Sequence, residues 1–208
     1  MGFFGHMVVT RSALPEAAFP AEDVEAVAGQ WADGLHVTRV FERLGDDWGP
    51  FDAFVDRLVQ AVPDGFLSAS ILDSDGAFVH IAVPHVGIDR CWLNLDGVVS
   101  HFVVGPPPFD EDGSLLPDDE IEALNAETER ATVEYTARLR EAALAGDAAA
   151  EACRAWATAS GLEPAAVDVV REALESRDLV VEQTFDRLLG TLGVARHSGM
   201  PGPTTSSP

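Results

Sequence analysis

A rigid break with the sequence Gly-Pro-Pro-Pro at residues 105–108 divides the chain into two parts of different hydrophobic periodicity. Three successive prolines remove backbone donors, so neither a helix nor a central strand continues through this segment. Before the break, short apolar runs alternate with turn residues, and after it apolar residues recur at three- and four-residue spacing. Strands followed by helices are typical of the α+β class. We therefore predict a mostly antiparallel sheet packed with C-terminal helices.

The centre of the first part predicts a four-strand antiparallel meander over residues 66–72, 78–83, 90–95 and 98–104. Asp-Ser-Asp-Gly at 73–76 and Asp-Gly at 96–97 have the composition of hairpin turns. A two-residue turn at 96–97 would pair Leu95 with Val98 and Trp92 with His101. A three-residue loop in the first hairpin would place Ser70 opposite His80.

The remaining elements follow from apolar spacing and from helix boundary signals. The N-terminal part predicts a strand over 3–11, a helix over 20–32, a strand over 35–42 and a helix that begins at Pro50. Beyond the break, a long helix begins at Pro117 with Leu124, Tyr135 and Leu139 on its inner face, and three shorter helices follow it.

We expect one domain over residues 1–195, because neither part buries its apolar faces alone. Residues 1–104 would be mainly sheet with two helices, and residues 117–193 would be helical. Residues 196–208 contain Gly, Pro, Ser and Thr without an apolar pattern, which predicts a disordered tail.

The charge of the chain excludes several classes of function. Asp and Glu number 35 against 13 basic residues, all of them Arg, and the formal net charge is -22. Such a chain repels phosphates, so we expect no nucleic-acid partner. Without Lys there is no Walker A loop, no pyridoxal phosphate enzyme and no protein kinase of the usual kind. We expect no cofactor.

The compartment is predicted to be the cytoplasm. No apolar run approaches the ~20 residues that span a bilayer, and the N-terminus has no secretion signal, so we expect no membrane partner. Cys91 and Cys153 fit no metal or redox spacing and are typical of buried thiols in a reducing compartment.

The predicted hairpins place a mixed set of side chains on one face of the sheet: Ser68, Ser70, His80, Trp92, Asn94 and His101. In one interpretation this face is a ligand pocket, with Trp92 as a stacking wall and His80 or His101 as an acid, base or donor. In the other it is an exposed or partly helix-covered outer face. The candidate ligand-binding residues are therefore His80, Trp92, Asn94 and His101, and we predict neither catalytic residues nor metal ligands.

The two ends of the chain resemble a protein family. Gly-Phe-Phe-Gly-His at 2–6 with Val8, Val9 and Arg11 is similar to the opening of uncharacterised cytoplasmic proteins of GC-rich bacteria. Thr-Phe-Asp at 184–186, followed by the apolar residues to Val194, resembles their final helix. The resemblance implies a stand-alone cytoplasmic protein and no particular activity.

Three hypotheses for function remain open. The leading one is a non-enzymatic acidic binding protein that covers a basic protein partner, one form of which is an inhibitor of the immunity or antitoxin type. The alternative is a small-molecule-binding protein or hydrolase that uses the His/Trp/Asn sheet face. The third is a scaffold whose charge serves solubility. They differ in whether the mixed sheet face is open or covered.

Overall fold

The computed structural model describes residues 3–19, 25–30, 34–41 and 51–194, and it confirms the α+β class with helices packed against the sheet. The strands are β1 (Gly5–Thr10), β2 (Glu25–Gln30), β3 (His36–Phe41), β4 (Phe66–Leu72), β5 (Gly76–Val83) and β6 (Gly87–Leu93). The helices are α1 (Phe51–Ala61), α2 (Leu95–Phe102), α3 (Asp118–Glu141), α4 (Gly146–Ala159), α5 (Val167–Glu175) and α6 (Val181–Thr191).

The strands form one antiparallel sheet in the order β2-β3-β1-β4-β5-β6. The turn at residues 73–75 joins β4 to β5 as the sequence predicts, but the register differs by two residues, so that Ser68 rather than Ser70 lies opposite His80. Because side chains alternate with a period of two, this shift leaves every predicted face assignment of the hairpin unchanged.

The predicted strand over residues 98–104 is wrong, because residues 95–102 form helix α2. Leu95, Val98, Val99 and Phe102 have the i, i+3, i+4, i+7 spacing of an amphipathic helix, and this pattern prevails over the β-propensity of valine. The predicted Asp96-Gly97 hairpin turn and the pairing of Trp92 with His101 are therefore also wrong. Gly97 has a different role: a Cβ there would lie 2.3 Å from the carbonyl oxygen of Asp75, so glycine permits close packing of α2 on the β4–β5 turn.

The predicted helix over residues 20–32 is wrong where the structure describes it, because residues 25–30 form strand β2 along β3. Local apolar spacing favours a helix, but pairing with an available sheet edge overrides so weak a preference. The rest of that helix, the Pro50 start of α1 and the predicted tail lie outside the described residues.

Helices α4, α5 and α6 cover one face of the sheet. The side chains of these helices and of that sheet face form the largest hydrophobic cluster. Trp156 of α4 and Phe185 of α6 are among its largest fully buried side chains. The strands contribute alternate residues, such as Met7, Leu67 and Val79. At about 25 cal/mol per Å² of apolar surface, burial of this cluster is the main stabilising contribution to the fold.

The opposite face is covered in two separate places. Toward one end, Phe54 and Leu58 of α1 pack with Val8, Val40 and Phe66. Toward the other end, a second cluster combines side chains of β4, α2 and α3, namely Leu72, Val98, Val99 and Leu139, with Phe78 and Trp92 packed against it. The mixed face predicted from the sequence is therefore largely covered by helices.

Helix α3 buries less than its predicted stripe. Of the three predicted inner residues only Leu139 is buried, whereas Leu124 and Tyr135 are half-buried. Only the C-terminal turns of α3 reach the hydrophobic cluster that α2 forms. In the first half of α3, the side chain of Thr128 packs against Gly105 instead. Most of this 24-residue helix is consequently in contact with solvent.

Helices α3 and α4 lie on opposite faces of the sheet. The segment of chain that connects them therefore passes around the edge of the sheet. The backbone N–H of Leu144 donates to the carbonyl oxygen of Arg90 at 2.8 Å, which fixes the crossing segment, residues 142–145, on the outer edge of β6. This contact also covers part of an exposed strand edge.

Leu139→Ala tests how firmly the end of α3 is attached. We expect a loss of about 2–3 kcal/mol in the free energy of unfolding, since Leu139 is only 8% exposed and its removal leaves a cavity. Val133→Ala on the same helix is the matched control, because Val133 is 63% exposed and should change stability by less than about 0.5 kcal/mol. Urea unfolding of both variants provides the measurement, and equal losses would contradict this packing.

Candidate binding site

A strip of buried polar side chains runs across the middle of the sheet face that α1, α2 and α3 cover. His6, Ser68, Ser70 and His80 lie on neighbouring strands and are at most 1% exposed. His6 Nδ1 and Ser70 Oγ are 2.8 Å apart, and the His6 ring stacks on Phe54 with centroids 4.2 Å apart. A Ser–His pair can serve a nucleophilic mechanism, but this one is enclosed under α1, where substrate does not reach it.

His80 is held in its neutral form. Burial lowers its pKa from the ordinary value of 6.5 to about 3, with further contributions from the positive charge of Arg90 and from His6. Neither ring nitrogen of His80, nor the hydroxyl of its partner Ser68, has a hydrogen-bond partner among the described residues. A histidine with so low a pKa is a poor general base or acid near neutral pH.

A cavity of about 350 Å³ lies beside His80 at the edge of β6. Its walls come from Ile88, Asp89 and Arg90 of β6 and from residues 141–144 of the crossing segment and the end of α3. Two of the predicted candidates, Trp92 and Asn94, do not line it.

A second, larger cavity of about 410 Å³ lies on the other side of the crossing segment. It is lined by Trp92 and Asn94, together with side chains from the end of α3, the start of α4 and the end of α5. Its walls are apolar at Leu95, Leu144 and Leu174. We refer to it as the β6 cavity.

The polar side chains of the β6 cavity are mainly cationic. Arg140, Arg171 and Arg177 line it, against one carboxylate, Glu175. Arg171 pairs with Asp147 at 2.6 Å, and Arg177 pairs with Asp96 at 2.7 Å. Arg140 is the one arginine of this lining for which no such pair is formed with a described residue, and a cavity lined by three guanidinium groups is unusual for a chain with a net charge of -22.

Of the four predicted candidate residues, the structure brings only Trp92 and Asn94 together. His80 lines the smaller cavity, and His101 lies on α2, outside both cavities. His101 Nε2 is 3.6 Å from Asp75 Oδ2, too long for a hydrogen bond, and its ring lies edge-on to Phe4. The predicted single site is thus divided for two reasons. Residues 95–102 form a helix rather than a fourth strand, which displaces His101, and the crossing segment separates the cavity at His80 from the cavity at Trp92 and Asn94.

Sequence reasoning missed the three arginines of the β6 cavity. They come from α3, from α5 and from the segment after α5, and no local motif joins them. The one signal was compositional, since arginines are few in this acidic chain and each is a candidate for a specific role.

The two cysteines lie within the main hydrophobic cluster, and both are buried and unbridged. A hydrogen bond with Cys153, followed by burial, raises the pKa of the Cys91 thiol well above its ordinary value. Cys91 also lines the β6 cavity. A protonated, buried thiol is a weak nucleophile, so it contributes to the cavity as an apolar wall.

The described residues contain neither a metal-binding cluster nor a membrane-spanning helix. Within residues 3–19, 25–30, 34–41 and 51–194, no group of three or more His, Cys, Asp or Glu side chains is arranged to hold a metal ion. In the same ranges, none of the helices combines the length and apolar character needed to cross a bilayer.

No protein-family model, curated protein or solved structure matches the chain. The resemblance of the two chain ends to cytoplasmic proteins of GC-rich bacteria therefore stays a prediction.

The neutral state of His80 predicts a specific dependence of stability on pH. The unfolded chain binds a proton at His80 near pH 6.5, whereas the folded chain does so only near pH 3. Between these values, acid favours the unfolded state by about 1.4 kcal/mol per pH unit for this residue. In His80→Leu we expect a smaller loss of unfolding free energy from pH 6.5 downward than in the parent protein.

The exposed His85 supplies the control for this experiment. His85→Asn keeps a residue type that tolerates the positive φ of 64° at this position. Its curve of stability against pH should run parallel to that of the parent protein. Parallel curves for His80→Leu and the parent would show that His80 becomes protonated in the folded state.

Proposed function

We propose that the protein is a non-enzymatic acidic binding protein that covers a basic protein partner. The observation that carries this proposal is an exposed hairpin at residues 108–116, followed directly by the acidic first turns of α3. We call this hairpin and the N-terminal half of α3, residues 108–129, the acidic surface.

The hairpin is fixed by its own hydrogen bonds. Phe109 and Leu115 form an antiparallel bridge, and the N–H of Leu116 donates to the carbonyl oxygen of Pro108 at 3.0 Å. At the tip, Asp110 Oδ1 accepts from the N–H groups of Asp112 and Ser114 at 3.0 and 2.8 Å. A tip closed in this way is ordered before any partner binds, which reduces the entropy cost of association.

The hairpin holds two large apolar side chains in solvent. Phe109 is 52% exposed and Leu115 is 63% exposed. Directly opposite residues of a bridge project to the same side, so these side chains are neighbours. An aromatic and a branched aliphatic side chain side by side supply an apolar anchor, and aromatic residues such as Phe are enriched at the cores of protein interfaces.

The charge around this anchor has a single sign. Residues 110–129 contain nine acidic residues and no basic one. All nine are exposed, and three of them form the first turn of α3. A field of this kind raises the association rate of a basic partner and repels acidic ones. The apolar anchor and the acidic surroundings together favour a basic protein, and an immunity-type or antitoxin-type inhibitor is one form that such a protein takes.

The hydrolase alternative has less support. The Ser70–His6 pair is enclosed, and His80 has a pKa of about 3. A hydrolytic mechanism near neutral pH needs an accessible nucleophile or a base with a higher pKa.

Removal of the anchor should weaken partner binding. The bait would be the purified full chain, cross-linked to partners in host extract at low and high salt, and each partner would then be purified for titration. We expect a basic partner whose binding weakens as salt is raised, because exposed charges are screened. In Phe109→Ser/Leu115→Ser, affinity for the purified partner should fall by about tenfold or more.

Leu179→Ser is the matched control, because Leu179 is an apolar side chain that is 94% exposed in the connection between α5 and α6. It should bind the purified partner as the parent does. An acidic partner, or equal affinity of the anchor variant and the control, would contradict the proposal.

The same charge predicts that the chain does not bind nucleic acid. Each phosphate contact needs a cation that releases counterions, and the net charge of -22 opposes such contacts. In a gel-shift assay at low salt with random DNA and RNA, we expect no retarded band. Saturable binding at micromolar protein would show that the arginines form a positive surface strong enough to overcome the overall charge.

A further inference from the structure

The β6 cavity brings three arginines together in an acidic chain. Of the 13 arginines in the sequence, Arg140, Arg171 and Arg177 line this one cavity. They converge from separate elements of the fold, although like charges repel each other. A group of guanidinium side chains in one concave site is the usual arrangement for recognition of an anion.

These guanidinium groups are available to a ligand. Arg140 has neither an ion pair nor a hydrogen bond with any described residue. The pairs of Arg171 with Asp147 and of Arg177 with Asp96 are solvent-exposed, with each side chain between 37% and 68% accessible. Ion pairs of this kind contribute little to stability, so an anionic ligand can join or replace them.

The remaining walls require an apolar body in the ligand. Leu144 and Leu174 line the cavity together with Cys91 and Trp92. Two polar atoms of the lining residues, Trp92 Nε1 and Asn94 Oδ1, are buried without a hydrogen-bond partner among the described residues. Both atoms lie behind the cavity wall rather than on its surface, so the arginines supply the polar contacts to a ligand and the remaining walls supply apolar ones.

The volume and charge limit the class of ligand further. About 410 Å³ is within the range of small-molecule sites and too small for a folded partner. Glu175 adds a negative charge to the lining, which disfavours ligands with several anionic groups.

We propose that the β6 cavity binds a small organic monoanion with an apolar, flat or branched body, of the class of aromatic and branched-chain carboxylates. The carboxylate lies among Arg140, Arg171 and Arg177, and the body packs on Trp92 and the leucines. This site is separate from the acidic surface and does not depend on it, because Arg140 lies in the last turn of α3 and about 16 Å of helix separates it from Glu129, where the acidic surface ends.

The test uses naphthalene-2-carboxylate as the probe and naphthalene-2-carboxamide as its neutral counterpart. Both are titrated into the ¹⁵N-labelled full chain, and the indole N–H signal of Trp92 is assigned by its disappearance in Trp92→Phe. We expect the carboxylate to shift this signal saturably and the amide to bind at least about tenfold more weakly, since the charge-assisted hydrogen bonds are lost.

Arg140→Gln should weaken binding of the carboxylate by about tenfold while leaving the spectrum of the free protein otherwise unchanged, because Arg140 is exposed and has no ion pair or hydrogen bond with a described residue. Arg138→Gln is the matched control: Arg138 is also in the last turns of α3, but its guanidinium lies 4.7 Å from the centre of the Tyr135 ring, and it does not line the cavity. Its affinity should equal that of the parent. Absence of a saturable shift, equal affinity for carboxylate and amide, or equal loss in the two arginine variants would overturn the proposal.

Discussion

Burial of both faces of the six-stranded sheet is the constraint on which the rest of the structure depends. The face beneath α4–α6 carries the largest hydrophobic cluster, which contains the indole of Trp156 and the ring of Phe185. The other face is also covered, although it carries histidine and serine side chains. Because α3 and α4 serve opposite faces, the chain has to pass around the edge strand β6 between them, and residues 142–145 do so.

This passage explains where the cavities lie. A segment that rounds a sheet edge cannot fill the space on both of its sides, and one cavity remains on each side of Leu144. The ends of α3 and α5 and the start of α4 then meet at the larger cavity, which is how arginines distant in sequence come to share it. The same geometry brings Trp92 and Asn94 to its wall, at the point where β6 ends and α2 begins.

The covered polar strip shows how the fold tolerates buried polar groups. His6 is paired with Ser70, whereas His80 remains neutral and without a partner among the described residues. An unpaired buried imidazole costs free energy that the two adjoining hydrophobic clusters must offset. In the acidic surface, by contrast, the polar groups are exposed. Its carboxylates stay hydrated and charged, and their electric field acts at long range.

The sequence alone determined the class of the fold, the strands β1, β3, β4 and β5, and the helices after the proline break, since each follows from a local pattern of apolar residues. It also determined which side chains of β4 and β5 share a face, because a register shift of two preserves the alternation. Only the tertiary structure decided that residues 25–30 form a strand, since edge pairing overrides a weak local preference. It alone separated His80 and His101 from Trp92 and Asn94 and brought in the three arginines, because the proximity of residues in different elements depends on how those elements pack.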